Sequence, residues 1–156
     1  QPLAAYSYGA KDTVKLKNVV AATIKLASAT SIVIWGAMML FANSIFGSFI
    51  KEAQILQEAV KAFRITIVVF PIISIYYVSI YYNQAINKAK SSFFLSIYRQ
   101  LLLFIPIVII LVIKIGVVGA WITYPITDII SAVTGIVFIK KGLGSLKGNS
   151  VIDTTL

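Results

Sequence analysis

The chain has 156 residues, of which 59% are hydrophobic and 12% are charged, and its mean hydropathy is +0.93. This balance excludes an ordinary soluble domain and favours a membrane protein that crosses the bilayer several times. The net charge of +9 is spread between apolar stretches and forms no basic stripe, so it argues against a nucleic-acid partner.

The sequence contains no cysteine and no histidine. Disulfides, thiolate chemistry and the usual zinc sites are therefore excluded within this chain, and we expect no metal site and no cofactor. A nucleophile with its base, or a phosphate-binding loop, is also missing from the sequence pattern, so we expect that the protein is not an enzyme.

The first ten residues, QPLAAYSYGA, predict the end of a helix that closes at Gly9, before a polar and basic connector. Neither an initiator methionine nor the apolar core of a signal peptide precedes this helix end. We therefore expect the chain to be part of a longer protein.

Four apolar stretches are each about 20 residues long, which at ~1.5 Å per helical residue matches the ~30 Å hydrocarbon core of a bilayer. They cover residues 19–42, 65–86, 93–113 and 117–140. The predicted fold class is an all-α membrane protein with four transmembrane helices and the end of a fifth, in one unit over residues 1–141. Residues 142–156 are rich in glycine, serine and polar side chains without apolar periodicity, which predicts a flexible tail.

Two further features modify this pattern. Between Asn43 and Arg64, apolar residues recur at three- and four-residue steps, which predicts an amphipathic helix at the membrane surface or extending the next span. In that next span Pro71 lies one to two turns from the start, so we expect a kink there. Tyr77 and Tyr81 share a face of the same span, and two interpretations stay open for them: packing in an aromatic belt, or a wall that contacts a substrate.

The basic residues predict the orientation of the chain in the membrane. If the first connector is cytoplasmic, alternation of the spans puts ten lysine and arginine residues on or nearest the cytoplasmic side and four on the other. This asymmetry agrees with the positive-inside rule. It predicts a multi-pass protein of the cell membrane whose chain start and tail are both cytoplasmic.

Several short motifs resemble the multidrug and toxic compound extrusion (MATE) transporters, in the order in which that family carries them. They are Gln1-Pro2-Leu3 with Gly9-Ala10, Phe70-Pro71, Asn83-Gln84-Ala85, Tyr98-Arg99-Gln100 with Pro106, and Gly119-Ala120-Trp121 leading to Pro125-Ile126-Thr127-Asp128. The resemblance covers residues 1 to about 141. It implies a carboxy-terminal portion of a twelve-helix transporter, from the end of the eighth helix through the twelfth, within one six-helix lobe.

The same resemblance implies a function. The family exchanges protons or sodium ions for cationic amphiphilic compounds by alternating access between two lobes. The expected partners are therefore the lipid bilayer, the missing amino-terminal part of the transporter and a small cationic substrate. Pro71 and Pro106 become candidates for conformational roles. The span over residues 65–86 contains no carboxylate, so a sodium site like the one that some members have there is not expected.

Asp128 is the only carboxylate within any predicted span, and a carboxylate at that depth suggests a function or a partner. It shares a helical face with Trp121 and Tyr124, so this group, together with Tyr77 and Tyr81, is the candidate substrate- or ion-binding set. The alternative is an Arg99–Asp128 ion pair that locks the last two helices together, because the two residues lie at depths that differ by roughly 7 Å. Both interpretations stay open.

Two other functional classes also stay open. A lipid-linked oligosaccharide flippase of the same superfamily would have similar spans, although such transporters usually need a more cationic cavity for a pyrophosphate lipid. A membrane scaffold subunit without transport activity would be a bundle of four spans that is stable by itself.

Overall fold

Short turns join helices that run back and forth across one bundle. A computed structural model describes the backbone of residues 1–152 and the side chains of residues 1–144. The helices are α1 (Pro2–Gly9), α2 (Thr13–Gly47), α3 (Ala53–Thr66), α4 (Phe70–Ala85), α5 (Ala89–Ile97), α6 (Ile105–Ile115) and α7 (Val117–Ile152), with a π-helical segment, Tyr98–Phe104, between α5 and α6.

Three helical stretches are long and apolar enough to cross a membrane, namely Thr13–Gly47, Ala89–Ile115 and Val117–Gly144. The pair α3 and α4 meets the same test only when the two helices are taken together, with a bend of 44° between them, which would make four spans. With α1, the described part of the chain therefore has the all-α architecture that the composition predicts.

Helix α2 is longer than the predicted span of residues 19–42, and it begins at a capped end. The side chain of Asp12 accepts a hydrogen bond from the backbone N–H of Lys15 at 2.8 Å, which satisfies one of the free amides of the first turn. At its other end α2 continues to Gly47. The amphipathic helix predicted from Asn43 to Arg64 is consequently divided between the last turn of α2 and α3.

The predicted span over residues 65–86 covers the end of α3 and the whole of α4, and the bend lies in the break between these two helices rather than at Pro71. Helix α3 ends at Thr66 and α4 begins at Phe70, so that Pro71 lies in the first turn of α4 rather than inside a kinked helix. Proline is favoured in a first turn because the amide that it lacks would have no partner there. The bend lies at Ile67–Val69, just before the proline.

The predicted span over residues 93–113 lies inside the helical stretch Ala89–Ile115, whose centre is a π-helix. Pro106 lies in the first turn of α6, directly after this segment. Because proline has no amide hydrogen to donate to the preceding turn, the normal hydrogen-bond ladder cannot run through this position. The sequence analysis did not predict the change from α- to π-helical hydrogen bonding.

A tight turn at Gly116 reverses the chain between α6 and α7. Gly116 has φ of +66°, a conformation that side chains with a Cβ atom rarely adopt. Helix α7 then extends through the predicted span of residues 117–140 and on to Ile152. The first part of the predicted flexible tail therefore continues a helix, and residues 153–156 lie outside the described residues.

The start of this continuation packs against the bundle. A Cβ atom at Gly142 would lie 2.6 Å from the ring of Tyr82, so this glycine allows α7 to approach α4 closely. Leu143 also packs against the cluster of buried residues around Tyr82. Composition alone does not reveal these two contacts.

Helix α4 lies at the centre of the described bundle, between α2 and α7. More than half of its residues are buried, and several of these are polar: Ser74, Ser79 and Asn83. Their polar groups are satisfied mostly within the helix, since Ser79 donates to the Tyr76 carbonyl and Asn83 to the Ser79 carbonyl, both at 2.7 Å. The polar core of α4 is therefore compatible with a site in a membrane, where unsatisfied groups are costly.

Candidate functional site

The side chains of Arg99 and Asp128 meet between the π-helical segment and α7. The Nε and Nη2 atoms of Arg99 donate to Oδ1 of Asp128 at 3.1 and 2.7 Å. The exposed fraction is 21% for the Arg99 side chain and 6% for that of Asp128. Among the described side chains, the second carboxylate oxygen, Oδ2, receives no hydrogen bond.

Arg99 also lines a pocket between α4 and the start of the π-helical segment. The pocket has a volume of about 330 Å³ and is half open to the outside of the described bundle. Its lining residues are Tyr76, Tyr77, Ile80, Tyr81, Gln84, Ser96, Arg99 and Gln100. The structure thus brings the predicted pair Tyr77 and Tyr81 to Arg99, and through Arg99 to Asp128.

The aromatic residues predicted on α7 lie elsewhere. The ring of Tyr124 packs edge-on against Phe104 of the π-helical segment, with 4.8 Å between the ring centroids, and 39% of Tyr124 is exposed. Trp121 is partly buried. Neither residue lines the pocket that holds Tyr77 and Tyr81. The pocket therefore brings together only part of the predicted set, namely Tyr77 and Tyr81.

Further along the same face of α7, Asp128 is followed by the buried Ser131 and by Gly135. A Cβ atom at Gly135 would lie 3.0 Å from the Cα atom of Tyr76, so the backbones of α7 and α4 are in close contact here. This contact fixes the distance between the carboxylate on α7 and the tyrosines on α4.

Tyr76 lines the same pocket and was not among the residues predicted from the sequence. It is 1% exposed, and its hydroxyl donates a hydrogen bond to the Leu95 carbonyl. The available signal was weak, because Tyr76 is one of several tyrosines in an apolar span and nothing in its spacing distinguishes it. Gln84 and Gln100 were noticed only as parts of motifs, and both line the pocket.

Among the described residues, no three acidic, cysteine or histidine side chains lie together in a group that could hold a metal ion. The arrangement is suited instead to reversible ionic contacts. One carboxylate, one guanidinium and several tyrosine and amide groups lie next to a pocket, and they can bind a small cation or exchange a proton without covalent chemistry.

Comparison with known proteins places this geometry in a family. A family model described as MatE matches residues 1–110. The curated proteins gave no match. Among solved structures, the MATE multidrug transporter DinF-BH, in complex with a ligand, is 32% identical, with a TM-score of 0.81 over 87% of this chain and 30% of that one.

A multidrug resistance MATE family transporter of the MOP superfamily is similar in two conformations. Its outward-facing structure has a TM-score of 0.85, 24% identity and coverage of 93% of this chain and 33% of that one. Its inward-facing structure has a TM-score of 0.86 and 24% identity, and the match covers 96% of this chain and 35% of that one. The chain spans about a third of the length of these transporters. Because the family model matches residues 1–110 of the chain and the fold is that of part of such a transporter, the chain belongs to the MatE family of multi-pass membrane transport proteins.

Proposed function

We propose that this chain is the carboxy-terminal part of a secondary antiporter that exports cationic amphiphilic compounds in exchange for protons or sodium ions. The family supports a role in transport. The similarity to DinF-BH, a multidrug transporter solved with a bound ligand, supports export of small molecules. In this proposal an amino-terminal part of the transporter, which the matched structures have beyond the region similar to this chain, supplies the second lobe.

The observation that carries the proposal is the shared position of Arg99. Its guanidinium is bonded to Asp128 and also lines the tyrosine pocket, so the charge that the pocket experiences depends on the state of Asp128. When Asp128 is ionised, it neutralises Arg99 and the aromatic pocket can accept a cation. When Asp128 takes up a proton or a sodium ion, the charge of Arg99 is no longer compensated and repels a cation in the pocket.

In this proposal, the state of one carboxylate couples uptake of the ion at Asp128 to release of a cation from the pocket. The mechanism needs a ligand that binds the two states with different affinity, which is the general requirement for coupling. Oδ2 of Asp128, which accepts no hydrogen bond from the described side chains, is the atom at which we place the incoming proton or cation. Tyr77 and Tyr81, which line the pocket, would form the wall that contacts the substrate.

The proposed orientation follows from the basic residues. Ten lysine and arginine residues lie on or nearest the side of the chain start and tail, against four on the other, so both ends are placed in the cytoplasm. The coupling ion then enters from the side on which α3 lies.

The proposal is tested in liposomes that contain the intact transporter with this segment. We expect saturable export of a fluorescent cationic dye that depends on a proton or sodium gradient, and a rate at least about tenfold lower in Asp128→Asn, which is the effect of losing one charge-assisted contact. Asp12→Asn is the matched control, because Asp12 caps α2 outside the predicted spans. A well-folded Asp128→Asn protein with wild-type export would contradict the role of Asp128, and export that no ion gradient drives would contradict antiport.

A further inference from the structure

The change from α-helix to π-helix at Tyr98 coincides with a side chain that enters the hydrogen-bond ladder. In an α-helix, the amide of Arg99 would donate to the carbonyl of Leu95, four residues earlier. Here the hydroxyl of Tyr76, from α4, donates to that carbonyl. The tyrosine therefore occupies the carbonyl that the Arg99 amide would use in an α-helix.

Insertion of a side chain into the i→i−4 ladder is a recognised cause of local distortion in helices. A π-helical turn contains about one more residue than an α-helical turn, and one residue of an α-helix corresponds to a rotation of about 100° about the axis. The direction in which Arg99 points from the helix therefore depends on whether the segment is π- or α-helical. In the π-helical segment, the guanidinium lies on Oδ1 of Asp128.

Tyr76 is held in a fixed position relative to Asp128. It is 1% exposed, and its backbone lies against Gly135 of α7, about two helical turns beyond Asp128. The hydroxyl at one end of the tyrosine contacts the helix of Arg99, while the backbone at the other end contacts the helix of Asp128. A single residue thus links both partners of the ion pair.

We propose that Tyr76 is a positioning residue. Its hydroxyl keeps the segment in the π-helical hydrogen-bond register and thereby directs the Arg99 side chain to Asp128. When the hydroxyl leaves the ladder, the Arg99 amide bonds directly to the Leu95 carbonyl, the segment becomes α-helical at this turn and the guanidinium leaves Asp128. A movement of α4 relative to α5 would withdraw the hydroxyl, so the relative position of these helices controls the ion pair. The consequence for transport rests on the proposed function, whereas the geometric consequence does not.

The test compares Tyr76→Phe with Tyr82→Phe in the intact transporter, with both structures determined by electron cryo-microscopy. Tyr82 is the matched control because it lies on the same helix, is 2% exposed and has a buried hydroxyl without a hydrogen-bond partner among the described residues. We expect Tyr76→Phe to shorten the π-helical segment, to join Arg99 N–H to the Leu95 carbonyl and to separate Arg99 from Asp128. Tyr82→Phe should retain all three features. An unchanged π-helix and an intact Arg99–Asp128 contact in Tyr76→Phe would overturn the proposal.

A second variant covers the case in which Tyr76→Phe does not fold. With para-aminophenylalanine at position 76, the ring retains a donor for the Leu95 carbonyl, so we expect the π-helix and the ion pair to be preserved. Loss of the ion pair in this variant, with the donor still bonded to Leu95, would also overturn the proposal.

Export measurements separate this inference from the proposed function. We expect Tyr76→Phe to reduce dye export about tenfold, and para-aminophenylalanine to restore it, because one buried hydrogen bond is lost and regained. If the ion pair is broken in Tyr76→Phe but export is unchanged, the positioning role stands and the role of the Arg99–Asp128 pair in transport is wrong.

Discussion

Both hydrogen bonds from Arg99 end on the same oxygen of Asp128, at 3.1 Å from Nε and 2.7 Å from Nη2. A carboxylate that used both oxygens would form the parallel, bidentate arrangement that is frequent in arginine–carboxylate pairs. The arrangement in this chain joins α7 to the π-helical segment through one oxygen and leaves the other without a described donor. The pair can therefore have a structural and a functional role together, which stability and export measurements can separate.

The first prediction concerns the stability of the pair. Arg99→Gln leaves the buried Asp128 charge without its partner, so we expect it to lower the free energy of unfolding by about 2–3 kcal/mol, somewhat less than for a fully buried pair because Arg99 retains 21% exposure. Combining it with Asp128→Asn should recover much of this loss. The measurement is the unfolding midpoint of the intact transporter in detergent. Losses that simply add in the double variant would show that the two side chains are not coupled.

A second prediction concerns Pro71 in the first turn of α4. The bend of 44° lies at Ile67–Val69, and an amide at position 71 could donate to the Ile67 carbonyl, which proline cannot do. We expect Pro71→Ala to straighten the junction between α3 and α4 and to alter the export rate, while the protein still folds. The bend angle and the transport rate of the intact protein are the measurements. Unchanged export from a straightened helix pair would argue against a conformational role.

The third prediction concerns the contact of α4 and α7. A Cβ atom at Gly135 would lie 3.0 Å from both the Tyr76 Cα atom and the Ser79 Oγ atom, so Gly135→Ala requires these neighbours to move by a few tenths of an ångström. We expect a loss of about 1–3 kcal/mol in the free energy of unfolding, as for other overpacked positions. Gly36→Ala is the control, since a Cβ atom there would meet no atom within 4 Å. Equal midpoints for the two variants would mean that the helices are less closely packed at Gly135.

A fourth prediction concerns residues 1–156 alone. Alternating access requires two elements that move about a shared site, and the chain covers only 33% of the transporter that it resembles in its outward-facing state. We therefore expect no gradient-driven export of a cationic dye from liposomes that contain only this segment. The intact transporter in parallel liposomes is the positive control. Saturable export by the segment would show that a single partial lobe is sufficient.

The sequence by itself determined the class of the protein and the order of its spans. Apolar stretches of about 20 residues have few alternatives to crossing a bilayer, because every backbone polar group must be satisfied within the helix. The short motifs from Gln1 to Asp128 were sufficient to suggest the family, which the match over residues 1–110 confirms. The ends of helices were less well predicted, as the break at Ile67–Val69 and the helical continuation past Gly142 show.

Only the tertiary structure decided which residues meet. Depth along each helix made contact between Arg99 and Asp128 conceivable, but rotation about the helix axis determines whether two side chains at similar depth face each other. That rotation depends on the π-helical segment, and the segment depends on a hydroxyl from α4, which is 22 residues before Tyr98 in the sequence. Hydrophobic periodicity in the sequence indicates which face of a helix is apolar. A change of hydrogen-bond register that a neighbouring helix induces does not alter this periodicity, so the sequence pattern does not predict it. For this reason Tyr76 could be identified only from the folded chain.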